Sequence, residues 1–102
     1  MGLMPINNRP FAEELPRLLT EREMTLRALA REVGGVDHAY LSRMLSGQVP
    51  VNVQHVRRIA RNLGLPEDYF PEVREAEVIA ALQRSPKLRD EIYFERIKKR
   101  VK

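Results

Sequence analysis

Residues 25–47, TLRALAREVGGVDHAYLSRMLSG, read as two short amphipathic helices joined by a glycine turn. In the first, Leu26, Leu29, Ala30 and Val33 recur at i, i+3, i+4 and i+7 behind Thr25, a good N-cap. Gly34 and Gly35 stop it. Asp37 is the next N-cap, Val36 is placed to pack back onto the second helix, and Gly47 ends that helix. At about 100° per residue, His38, Ala39, Ser42, Arg43 and Ser46 fall within one arc of roughly 140°. Val36, Tyr40, Leu41 and Met44 take the other side. The outward face therefore carries hydroxyls, an imidazole and one guanidinium with almost no bulk. Solvation alone explains such a surface poorly, whereas entry into a groove of DNA explains it well.

Outward from this pair, the chain continues in helical periods. Phe11, Leu15, Leu18, Leu19 and Arg22 form a stripe that ends before Thr25. Pro16 sits inside it and forfeits a bond to the Ala12 carbonyl, so that helix either begins nearer Glu13 or is kinked. After a loop at Gln48–Val51, Asn52 caps a fourth helix with Val53, Val56, Ile59, Ala60 and Leu63 as its buried stripe, up to Gly64. Leu65–Phe70, with Pro66 at its first position, reads as a short fifth helix whose two aromatics close the core. Val73, Ala76, Ile79 and Leu82 then mark a sixth helix ending at Ser85, and Pro86 opens a seventh reaching Val101. The apolar residues of the seventh, Leu88, Ile92, Tyr93, Phe94, Ile97 and Val101, spread around more than half of its wheel. There is no strand signal. The chain is expected to be all-α, with a flexible arm over 1–10, a domain over 11–70 and a helical extension over 71–102.

A length of 102 residues, 43% hydrophobic and 31% charged, suits one folded domain or a small domain with an extension. Without cysteine there is no disulfide and no thiolate to bind metal or attack a substrate. Met1–Ile6 is too short and too polar for a signal peptide, and no apolar run approaches bilayer length, so a cytoplasmic location is expected, at the nucleoid when bound to DNA. The net charge of +4 favours an anionic partner, and its distribution says more than its size. Between Met24 and Arg61, six arginines stand against Glu32 and Asp37, while Phe11–Glu23 and Gly64–Phe70 are net acidic. Arg96–Lys102 adds five cations and no acid. Material for catalysis is poor: His38 and His55 are far apart, and there are no paired carboxylates in a cleft, no phosphate-cradling glycine loop and no metal-ligand spacing. An enzyme, a metal site and a cofactor are not expected.

The succession F-x-x-x-L-x-x-L, T-L-x-x-L-A-x-x-V-G, A-Y-L-S-R-M-L-S-G and I-A-x-x-L-G-L resembles the Cro/repressor-type helix-turn-helix family, also called the XRE family, over about Phe11–Phe70. The resemblance implies a five-helix helix-turn-helix domain, here followed by a two-helix C-terminal extension. Its third helix would enter the major groove, usually in a dimeric transcriptional regulator. The family usually has one residue fewer between helix 2 and the recognition helix, so Gly34-Gly35 looks like a one-residue insertion. Aligning from the C-terminal side puts His38 and Ala39 at the first base-reading positions and Ser42 and Arg43 at the later ones. The amphipathic sort selects that alignment.

Chemistry gives these residues unequal roles. Arg43 can donate twice to guanine O6 and N7, His38 can donate to a base or phosphate acceptor, Ala39 offers a methyl to a thymine methyl, and Ser42 is short and promiscuous. Phosphate contacts are expected at the helix starts near Thr25 and Asn52, where backbone N–H groups attract anions, with Arg27, Gln48 and Asn52 supplying side chains. Arg31, Arg57, Arg58 and Arg61 read as a solvated face. The expected function is a sequence-specific DNA-binding regulator, a repressor at a palindromic operator, acting as a homodimer paired through residues 71–102. The competing reading is a protein-interaction module, antitoxin-like or developmental, whose partner binds the C-terminal helices.

Overall fold

Six α-helices follow one another among residues 6–98, the part of the chain that the computed structural model describes. They are α1 (Phe11–Glu21), α2 (Leu26–Val33), α3 (His38–Ser46), α4 (Val53–Asn62), α5 (Pro71–Arg84) and α6 (Pro86–Ile92), the last running into a π-helical turn at Tyr93–Ile97. No strand occurs among the described residues. Residues 99–102, at the end of the expected seventh helix, and residues 1–5 of the expected arm lie outside them.

Helix α1 buries Phe11, Leu15, Leu18 and Leu19. It starts at Phe11, so Pro16 lies in its interior with its ring on the exposed side. Its N-cap, Pro10, has no side chain that can accept a hydrogen bond, and the cap comes from elsewhere. The Phe11 N–H donates to both carboxylate oxygens of Glu72, at 3.0 and 3.1 Å, joining the first helix to the fifth. Asn7 is buried beside this junction, and its carbonyl accepts from Arg74 at 2.7 Å.

Helices α2, α3 and α4 each open on a capping side chain. Thr25 accepts from the Ala28 N–H, Asp37 from Tyr40 and Asn52 from His55, at 3.0, 2.7 and 3.1 Å. Each cap of this kind contributes about 1 kcal/mol. The three helices and α1 enclose Leu29, Leu41, Met44, Val56, Ile59 and Ala60. Phe70 closes the core, meeting Phe11 and Tyr69 edge-on with centroids 5.1 Å apart in both cases.

The expected five-helix domain is not what forms. Four helices precede the extension, and residues 65–70 make turns in place of a fifth. Pro71 sets this limit. It pushes the residue before it out of the helical region, leaving Phe70 extended at φ −88° and ψ 139°. Between Pro66 and Pro71 only the Tyr69 N–H closes back onto the Pro66 carbonyl, at 3.0 Å. Phe70 then serves as the N-cap of α5, with Pro71 in its first turn.

The extension is α5 and α6. The start of α5 belongs to the core: Val73 is fully buried, and Arg74 donates to the carbonyls of Asp68 and Tyr69 as well as to that of Asn7. Beyond Val73 no described residue is buried. Val78, Ile79, Leu88, Tyr93, Phe94 and Ile97 are all exposed.

Among the described residues one ionic side chain, Glu14, is buried. The Glu14 carboxylate accepts from Arg17 Nε and Nη2 at 2.9 and 2.7 Å and from the Tyr69 hydroxyl at 2.6 Å. The Arg17 bonds hold its carboxyl below the ordinary range, outweighing the opposing effect of burial. Burial, and then the Glu14 carboxylate, pushes the Tyr69 hydroxyl up.

Candidate nucleic-acid interface

The face that the sequence sorts outward is outward in the structure. Ala39, Ser42, Arg43 and Ser46 are exposed along α3, while Leu41 and Met44 are buried behind them. His38, in the first turn, is half-buried. Ser46 folds back, its hydroxyl donating to the Arg43 carbonyl at 3.2 Å. Arg43 is held from the side. Its guanidinium carbon lies 5.9 Å from the centroid of the Tyr40 ring, a cation–π distance that leaves its N–H groups available. The exposed face of α3 thus carries one side chain capable of bidentate donation, Arg43, together with the small side chains of Ala39, Ser42 and Ser46.

The four residues expected to contact phosphate stand at the ends of the helices around α3. Thr25 precedes α2 and Asn52 precedes α4, and both spend their side-chain oxygen on capping. What they leave for an anion is the positive end of the helix, the O–H of Thr25 and the side-chain amide nitrogen of Asn52. Arg27 is exposed in the first turn of α2. Gln48 is exposed just past the end of α3, its backbone N–H donating to the Arg43 carbonyl at 2.9 Å.

Not all of the basic stretch is available for DNA. Arg57 pairs with Glu77 at 3.0 Å and Arg61 with Glu67 at 3.2 Å. Arg58 is half-buried, and its guanidinium donates to the carbonyls of Val33 and Gly34 at the end of α2. Arg27, Arg31 and Arg43 have no carboxylate partner among the described residues. The usable positive charge of the central stretch thus narrows to α2 and α3. Sequence reasoning placed Arg58 on a solvated face, since nothing local marks an arginine whose acceptors lie 24 and 25 residues upstream.

Among the described residues there is no group of three or more His, Asp or Glu able to hold a metal ion, and no helix is long and apolar enough to cross a membrane. A family model described as helix-turn-helix matches residues 17–70, from the middle of α1 to the start of α5. No curated protein and no solved structure matches the chain.

Proposed function

This chain belongs to the helix-turn-helix family and is a sequence-specific DNA-binding regulator, and on that premise we propose that it reads the major groove with α3. Arg43 is the principal base contact, with His38, Ala39 and Ser42 beside it. Thr25, Arg27, Gln48 and Asn52 hold the flanking phosphates. What supports this reading is the exposed face of α3, on which Arg43 stands with Ala39 and Ser42, its guanidinium beside the Tyr40 ring and its donors free. A face with so few long side chains reads few bases directly, so DNA shape and the spacing of two copies supply the rest of the selectivity.

We further propose that the protein acts as a homodimeric repressor, paired through the extension. Six large apolar side chains between Val78 and Ile97 are exposed in the single chain, more than one protomer covers. Two copies joined there would set two α3 helices on half-sites about 34 Å apart, one turn of the double helix. In vitro selection from a random DNA pool, followed by salt titration of the winner, tests the reading. A palindrome is expected, with affinity falling steeply as salt rises because several phosphates are neutralised per protomer. Absence of enrichment together with a shallow salt slope contradicts DNA reading, and a single unpaired half-site contradicts the dimer.

A further inference from the structure

We propose that Arg58 is the positioning residue of the recognition surface: from α4 it holds both the turn that leads into α3 and the aromatic shelf under Arg43. The proposal rests on α3 being the helix that reads DNA. The turn has little conformational preference of its own. Gly34 lies at φ 73° and ψ 155°, a region that residues with a side chain scarcely enter, and Gly35 follows at φ 71°. Such a pair needs fixing from outside.

Arg58 does this with one nitrogen and reaches a neighbouring ring with another. Its Nη2 donates to the Gly34 carbonyl and, at 3.3 Å, to that of Val33, taking up carbonyls at the end of α2. Gly35 makes room for it, since a Cβ at that position would lie 2.7 Å from Nη2. Its Nη1 lies 3.3 Å from Nδ1 of His55, one turn earlier on α4. The His55 ring meets the Tyr40 ring edge-on at 5.6 Å, and Tyr40 in turn carries the Arg43 guanidinium. One half-buried guanidinium therefore reaches the start of α3 through the turn and its reading residue through two rings.

This matters because a binding constellation must be held to within about 0.5 Å to be productive. A bidentate arginine–guanine pair is sensitive to displacement of that order. Lysine at position 58 would keep the charge, but a single ammonium lacks the planar fork that spans two carbonyls and an imidazole.

The test compares wild type, Arg58→Lys, Arg43→Ala and the double variant on a selected DNA site and on its single base-pair variants, with thermal melting recorded for each. Arg58→Lys is expected to lose about tenfold in discrimination at the base pair that Arg43 distinguishes, within the range of a bidentate base contact. Non-specific affinity and salt slope should stay those of wild type, and the double variant should lose no more than Arg43→Ala alone. Unchanged discrimination by Arg58→Lys overturns the proposal. So does an equal loss on all sequences with a shallower salt slope, which would make Arg58 a phosphate contact. If Arg58→Lys melts below the assay temperature, His55→Leu carries the comparison, because it removes the ring beside Tyr40 and leaves the bonds to the turn. Unchanged discrimination there overturns the proposal as well. A wild type that discriminates no base pair overturns DNA reading and the positioning role together, an outcome distinct from a discriminating wild type matched by Arg58→Lys.

Discussion

Between Phe11 and Val73 the chain hides its largest apolar side chains; between Val78 and Ile97 it shows them. Both regions are built from helices of ordinary length, so the difference lies in what covers them. In the first, each apolar stripe faces another: α1 packs on α3, α2 on α3 and α4, and α4 on α5. In the second, α6 packs mainly against its neighbours in sequence, α5 and the π-helical turn, and none of its residues is buried. The contrast teaches that the extension is not a free appendage throughout. Its first turn completes the core and caps α1, and the exposed apolar side chains all lie beyond that turn among its described residues.

The largest expected effect comes from where that boundary falls. Ending the chain after Phe70 removes Val73 from the core and the Glu72 carboxylate from the Phe11 N–H, a loss of about 3–5 kcal/mol from burial and a charged hydrogen bond. That is a large share of the roughly 5–15 kcal/mol that holds a domain together. Ending it after Ser85 removes no buried side chain among the described residues and should leave the melting temperature of the dilute protein within a few degrees. Equal melting of the two truncated chains would break the comparison.

Single substitutions sharpen it. Leu41→Ala, in the closed region, should cost about 2–5 kcal/mol in denaturant unfolding. Ile79→Ala, at 48% exposure, should cost under about 1 kcal/mol in dilute protein. Its expected effect is on association, read as a weaker dimer in sedimentation. The pH response belongs to the closed region. Because the folded-state pKa of Glu14 is depressed, the stability it contributes is present above the ordinary glutamate value of about 4.3 and is lost as pH falls through the folded value. Melting temperature should fall along that acid limb, and Glu14→Gln should flatten it. A cap contributes less than a core side chain, and Asp37→Ala should cost about 1 kcal/mol by freeing the Tyr40 N–H.

Much of the fold was legible in the sequence because its causes are local. Helix α2 follows Thr25 and α3 follows Asp37 as their caps and apolar periods require, and α4 follows Asn52. The exposure of Ala39, Ser42 and Arg43 comes from the same periodicity. Residues 65–70 misled because Pro66 and two aromatics look like a helix start and its core face, while the constraint that prevents the helix comes from Pro71. Long-range polar bonds were not legible at all. Glu72 caps a helix 61 residues away, and Arg22 donates to the Leu63 carbonyl across 41 residues. Arg58 belongs with these. Its neighbours in sequence show a charge, and only the fold shows the carbonyls it serves.

Whether α3 reads bases through Arg43 is decided by titration of wild type and Arg43→Ala against a selected site and all of its single base-pair variants. Arg43→Ala is predicted to lose about tenfold to hundredfold in discrimination at one base pair in each half-site, with other positions and non-specific binding little changed. A loss spread evenly over every sequence, or an unchanged pattern of discrimination, would contradict it.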